Sequence, residues 1–287
     1  MRRLPIIVTA IAVTAIGAGA FAFRGELRDA YGRWQRGPVP PAVSRDDFKK
    51  TAPPPAPVPA PVVNDAEKPV NEVKPVPVPA PTPVPVPAPV PTPAPKPAQE
   101  PASLNLQLLF VPQAPFKNWD ALHEDACEEA SMVMMQAYAE DISKMSLEEM
   151  DRRLKELVAY QTETYGEVPS ISAARAAEVM RDHLGLRVKA VEIDSLDDIK
   201  REIAAGRPVM LLAAGKLLYN PNFKNGGPLY HSLVAKGYTA KTIITNDPGT
   251  RVGADYAYAN DVLWNAIHDW NDGDVTNGAK MIIVLEE

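Results

Sequence analysis

A single cysteine, Cys127, stands in the run Trp119-Asp-Ala-Leu-His-Glu-Asp-Ala-Cys-Glu-Glu-Ala-Ser131; His231 and Asp247 follow more than a hundred residues later. A lone cysteine closes no internal disulfide, so its chemistry is that of a thiol. A thiol becomes a nucleophile when a base takes its proton and a third group orients that base. Asp125 reads as a helix N-cap with Glu128 three residues on, a variant of the capping box, which places Cys127 at the second helical position. First-turn N–H groups have no intrahelical partner and the helix dipole is positive there; both favour a thiolate. Glu128 and Glu129 oppose it, so a base is still needed. The plain alternative is a small buried hydrophobe.

His231 opens a predicted strand, Tyr230 to Tyr238, and Asp247 ends the next, Lys241 to Asn246. With a turn near Thr239-Ala240 and Tyr238 opposite Lys241, His231 opposes Pro248 and lies diagonally beside Asp247. Diagonal neighbours are about 7–8 Å apart, so a plain hairpin brings an imidazole and a carboxylate to one end of a sheet. The carboxylate can hold the imidazole's tautomer while the imidazole takes the thiol proton. A one-residue slip would turn one of the two to the other face. On residues alone His231 could equally be a core histidine, and Asp247 before Pro-Gly a turn residue. His123, four residues before Cys127, is a second candidate base. His183 reads as a helix C-terminal residue and His268 as part of an amphipathic helix. No pair of Cys or His has ligand spacing on one element, so no metal or other cofactor is expected.

The elements that must position these groups follow from periodicity. Leu104 to Val111 reads as a strand, and helices run from Ala126 to about Ala139, from a Ser146 cap through Val158, and from Ser170 or Ser172 to His183-Leu-Gly185. Arg187 to Ile193 is a strand, Ser195 to Ala205 a helix stopped by Gly206, and Pro208 to Ala213 a buried strand. Ala259 to Trp270 reads as a helix and Met281 to Leu285 as a last apolar strand. Helices first and mostly antiparallel strands later predict an α+β fold in residues 104–287, enough for one core.

What precedes that domain is of another kind. Arg2 and Arg3 lead an uncharged apolar run, Leu4 to Phe23. About 20 such residues cross a ~30 Å hydrocarbon core. Residues 1–23 therefore read as a single transmembrane signal anchor, or as a cleaved signal with Ala18-Gly-Ala20 as its site. The four arginines from Arg24 to Arg36 would keep the following chain cytoplasmic by charge alone. Residues 24–103 are a juxtamembrane segment and linker, and 23 of the 31 prolines lie between Pro38 and Pro101, which excludes helix and inner strand there. A disordered, extended stalk of this kind suits a domain held away from a membrane, and this argues for export; the alternative is a ligand for aromatic-grooved domains. The net charge of −6 leaves no basic footprint for nucleic acid.

Four stretches carry a family resemblance: Val111-Pro-Gln-Ala-Pro-Phe-Lys-Asn-Trp119, Ala126-Cys-Glu-Glu-Ala-Ser131, Tyr230-His-Ser-Leu-Val-Ala-Lys-Gly-Tyr238 and Asn246-Asp-Pro-Gly-Thr250. In that order they resemble the bacterial papain-like cysteine peptidases related to the bacteriocin-processing (double-glycine leader) peptidases, family thirty-nine of the cysteine peptidases. The resemblance covers about residues 104–287 and implies a papain-like fold in which the nucleophile helix leads a helical part packed on the sheet. It implies Cys127 as nucleophile, His231 as general base, Asp247 as the orienting residue and Gln113 as the oxyanion-hole side chain. An amide donor there also fits what a tetrahedral oxyanion requires, although Gln113 could be an ordinary loop residue. The chain departs from the leader peptidases in carrying one possible span and a stalk with no Walker motif, which argues against leader cleavage coupled to transport.

The expectation is therefore a monomeric thiol hydrolase without cofactor, anchored in the cell membrane by one pass, its catalytic domain extracytoplasmic, or secreted if the signal is cleaved. Its partner is a peptide or protein substrate in the cell envelope. Trp119, Asp120, Tyr230 and the 249–258 loop would line the cleft, with core packing as the alternative for Trp119. Two other readings use the same residues: a non-catalytic envelope-binding module, and a thiol acyltransferase or amidase.

Overall fold

A computed structural model describes residues 37–51, 101–166 and 170–286. The expected anchor at 1–23 and most of the proline-rich segment lie outside them. No helix among the described residues is long and apolar enough to cross a membrane.

In chain order the elements are α1 (Arg45–Thr51), β1 (Leu104–Asn105), α2 (Ala121–Glu124), α3 (Cys127–Ala139), α4 (Leu147–Tyr165), α5 (Ala173–Asp182), β2 (Val188–Glu192), α6 (Leu196–Ala204), β3 (Val209–Ala213), β4 (His231–Tyr238), β5 (Thr242–Asn246), β6 (Tyr256–Ala259), α7 (Asn260–Ala266) and β7 (Met281–Leu285). All strand pairings in the sheet are antiparallel, in the order β2-β7-β3-β4-β5-β6, with β1 on the far half of β4. This mixed helical and antiparallel fold matches the predicted class. β3 is buried along its whole length between β4 and β7, as its unbroken run Val-Met-Leu-Leu-Ala requires.

The helix led by Cys127 is the centre of the molecule. From Cys127 to Met135 every residue of α3 is buried, so it is enclosed on nearly all sides. It rests on β3 and β4, and α4 covers it from outside. The amphipathic α4 buries Met150, Leu154 and Leu157; its cap Ser146 accepts from the Glu149 N–H at 3.2 Å. Ser172 caps α5 in the same way, settling the choice between Ser170 and Ser172.

Three expectations are corrected. The strand at 104–111 is only two residues long, because beyond Leu106, which still bonds Lys236, the chain leaves β4 to form the loop that carries Gln113. The helix at 259–270 stops at Ala266, where Ile267 bridges to Ala213 and the His268 N–H bonds Leu212. His268 is therefore outside the helix, with Nδ1 2.8 Å from the Gly278 carbonyl. The β4–β5 turn is also longer: Tyr238 pairs with Ile243 rather than Lys241, and 239–241 connect the strands.

Residues 37–51 add to the domain that periodicity began at 104. Val43 bonds Asn105 and Gln107 at 2.7 and 2.8 Å, and Arg45 donates to the last carbonyls of α3 at Tyr138 and Ala139. Phe48 lies on Gly206, where a Cβ would stand 2.4 Å from its ring. Gly206 is thus required both by its φ of +78° and by this close approach.

Candidate functional site

The face on which His231 and Asp247 meet is decided by one extra residue. Between Ala235 and Gly237 the β4–β5 register shifts, and Lys236 is the residue bulged out. Beyond the bulge Ala235 pairs with Thr245 and Val234 with Asn246, so Asp247 continues on the face of Leu233 and His231. Without the bulge, or in the register expected from sequence, Asp247 would fall on the opposite face from His231. The bulge is pinned by its surroundings: the buried Lys236 ammonium is 2.7 Å from Asp255 Oδ1, and its carbonyl accepts from Leu106.

His231 Nε2 lies 2.8 Å from Asp247 Oδ1, with both residues buried. Asp247 also accepts from Tyr258 Oη at 2.5 Å, Asn220 Nδ2 at 3.1 Å and the Gly249 N–H at 3.0 Å. Burial works against its ionisation. The charge and hydrogen bond of His231 and the donors Tyr258 and Gly249 outweigh burial and hold the carboxyl below its usual range. Phe223 stands edge-on to the imidazole at 5.1 Å between ring centres.

Cys127 opens onto the same cleft, of about 840 Å³, as His231, Gln113, Trp119 and Tyr230. Asp125 does not cap α3. It ends the separate short helix α2, Ala126 takes the N-cap position without a side-chain bond, and Cys127 is the first helical residue. The cause is His123, whose two ring nitrogens lie 2.6 Å from Asp120 and 2.8 Å from Asp151, folding 121–124 into a turn of its own. The thiol hydrogen bond goes to Glu128 Oε2 at 2.8 Å. Burial pushes the Cys127 thiol well above its usual range, and the charge and hydrogen bond of Glu128 add to that; the Ser232 N–H acts in the opposite direction. The favourable helix-terminus effect expected at Cys127 is outweighed here. Glu128 is itself pushed up to about 8, by burial and then by Glu129.

The other predicted residues divide. The Gln113 N–H bonds Pro248, next to Asp247, but both Nε2 bonds run to carbonyls at the end of α2, His123 at 2.8 Å and Glu124 at 2.9 Å. Its Oε1 is buried without a partner. Trp119 lines the cleft rather than the core, with Lys224 Nζ 5.4 Å from its ring. Asp120 does not line it; it caps α2 and holds His123. Tyr230 offers its ring to the cleft while its hydroxyl bonds Ile171 and Asp269; burial and then Asp269 keep that phenol protonated. His183 ends α5 as read and stacks on Tyr160.

Sequence reading missed Asn220 and Phe223; it placed Gly249 and Tyr258 within the 249–258 loop, whose residues 249–252 do line the cleft, but gave neither a role at His231 or Asp247. Tyr256 and Tyr258, two apart, signal a strand with both rings on one side; that strand is β6. Nothing local marks Asn220. A Cβ on Gly249 would stand 2.8 Å from His231 Cε1, so only glycine leaves the imidazole its place. Lys117 and Asn225, which also line the cleft, are non-glycine residues at positive φ (64° and 52°), a strained backbone of the kind found around functional sites. No cluster of metal-ligating side chains occurs among the described residues.

A helix bearing a cysteine, laid on an antiparallel sheet that presents an Asp-bonded histidine to the same cleft, is the arrangement of cysteine peptidase-like folds. The chain belongs to the Peptidase C39-like family, whose model matches residues 109–272. Among solved structures it is similar to a crystal structure from Bacillus anthracis described as a candidate C39-like peptidase. Sequence identity is 14%, the match covers 57% of this chain and 90% of that one, and the TM-score is 0.40. No curated protein matches the chain.

Proposed function

We propose that this chain is a cysteine-type peptidase that works at the cell envelope. The observation that carries this reading is His231, which opens onto the cleft that also contains the Cys127 thiol and is held from behind by the buried Asp247 at 2.8 Å. With Nε2 committed to Asp247, Nδ1 of His231 is the nitrogen left to take the thiol proton. Sulfur then attacks the substrate carbonyl, and the carbonyl π pair moves onto oxygen. The first-turn N–H of Cys127, and Gln113 once one of its carbonyl bonds is released, would hold the oxyanion. The C–N bond breaks as His231 returns the proton to the leaving amine, and water assisted by His231 hydrolyses the thioester. The apolar run Leu4–Phe23 supports tethering to a membrane, with the domain exported.

A second reading, a binding module on the same fold, is favoured by two observations: the thiol is bonded to Glu128, and both Gln113 amide bonds are spent on carbonyls. The test compares the full chain with Cys127→Ala on a mixed peptide library, reading new termini by mass spectrometry. Cleavage that vanishes in the variant establishes the peptidase. Undiminished cleavage in the variant rejects Cys127 as nucleophile, and binding without cleavage in both supports the module. Retention in the membrane fraction after an alkaline carbonate wash tests the anchor.

A further inference from the structure

The carboxyl group beside the thiol has no part in the mechanism above, yet it touches the reacting atom. We propose that Glu128 restrains the nucleophile: in the resting site its Oε2 accepts the S–H of Cys127, and His231 can take that proton only after this bond is released. The inference rests on the reading of Cys127 as the nucleophile. Three observations carry it. The thiol bonds Glu128 at 2.8 Å, whereas the imidazole bonds Asp247. Glu128 is only 4% exposed, so water does not screen the pair. Glu128 also lines the same cleft as Cys127 and His231, so a bound substrate reaches the bond it must break.

Geometry gives the direction of the effect. A carboxylate 2.8 Å from sulfur accepts from the neutral thiol and repels the thiolate, so the ionised forms of Cys127 and Glu128 exclude one another. The groups acting on Glu128 are Glu129 and its own N–H on α3, the Ile171 N–H ahead of α5, and the Tyr230 phenol before β4; Asp125 acts on Glu129. None of these is a cation, and the cationic side chains that line the cleft, Lys117, Lys224 and Arg251, are not among them. Glu129, the nearest carboxyl, is bonded to Gln161 at 2.6 Å and not to the thiol, which makes it the natural control.

The test is iodoacetamide labelling of Cys127 in the full chain, with rates followed by mass from pH 5 to 10. Three chains are compared: wild type, Glu128→Gln and Glu129→Gln. Glutamine keeps the size and an acceptor oxygen but never ionises. Well below pH 8, where most of the Glu128 carboxyl holds its proton, Glu128→Gln and wild type should label alike. Above it, Glu128→Gln should label about ten-fold faster with its midpoint lower by about one pH unit, the equivalence of a ten-fold change in ionisation. Glu129→Gln should shift less. Wild type alone should rise more gradually than a one-proton curve, a readout that survives if the variant fails to fold. Superimposable profiles for wild type and Glu128→Gln, or a one-proton wild-type curve, would overturn the proposal. Labelling needs no substrate, so a failure here is distinct from a failure of the peptide-library test.

Discussion

Removing the Tyr258 hydroxyl is the sharpest probe of the buried network behind His231. Asp247 accepts four hydrogen bonds, and the shortest, 2.5 Å, comes from Tyr258. Tyr258→Phe deletes that bond and keeps the ring that packs on Tyr256. A hydrogen bond to a charged group is worth about 1.5–3 kcal/mol. The loss is larger here because Asn220 Nδ2, which also donates to the Tyr258 hydroxyl at 2.7 Å, loses one partner inside a buried site. An unsatisfied buried donor costs a further ~1 kcal/mol or more, giving a total of about 2.5–4 kcal/mol. For a domain of this size that corresponds to a melting temperature lower by roughly 5–15 °C. The pH dependence adds a second signature. The Asp247 carboxyl is held below its usual range in the fold. It therefore contributes stability fully present above its unfolded value of about 3.9 and lost as pH falls through the folded value. Without the Tyr258 donor the folded value rises, and acid unfolding should begin at a higher pH. Urea unfolding of both full chains at pH 7 and along an acid series measures both effects. A loss below about 0.5 kcal/mol, of the order of an ordinary surface change, together with an unmoved acid limb, would mean that Asp247 does not depend on this network.

Other consequences are equally direct. Gly249→Ala should displace the His231 imidazole, because the new Cβ would stand 2.8 Å from Cε1; peptide hydrolysis should fall about 100-fold, the scale of a small misplacement, with less effect on substrate binding in a direct assay. Phe48→Ala should cost about 1–3 kcal/mol in urea unfolding, less than a fully buried phenylalanine, since the ring is part-buried against the core at Gly206. An unchanged midpoint would show that 37–51 adds nothing to the fold. The raised carboxyls of Glu128 (about 8) and Glu129 (about 7) should make stability decline as pH climbs from about 4.5 to 8, because the folded state retains protons that the unfolded state has released. Glu129→Gln should flatten that decline in thermal melts, and an identical slope would argue against it.

Much of this architecture is written in local patterns. Ser146, Ser172 and Ser195 each stand where a helix begins, and the apolar runs at 209–213 and 281–285 are strands because nothing polar interrupts them. Cys127, His231 and Asp247 could be picked out by residue type and order, and the structure opens the cleft at the first two with the third bonded to His231. Local reading failed where a distant partner competes. Asp125 looks like a cap for α3, but the clamp of His123 between Asp120 and Asp151, a residue of α4, turns it into the end of α2. The face shared by His231 and Asp247 depends on a bulge at Lys236 held by Asp255 and by the loop after β1, and no periodicity of the hairpin encodes that. Asn220 and Tyr258 reach Asp247 from other segments.

The sequence by itself determined where helices and strands form and which side chains have the chemistry of a thiol hydrolase, because both are properties of residue type and short-range spacing. Only the tertiary structure decided the state of the thiol. A helix N-terminus lowers a thiol's pKa, but enclosing Cys127 and placing Glu128 at 2.8 Å raise it by more. The opposing charge of Glu128 is legible next door in the sequence, but burial, which is the largest cause, is a long-range quantity summed over segments that meet only in the folded chain.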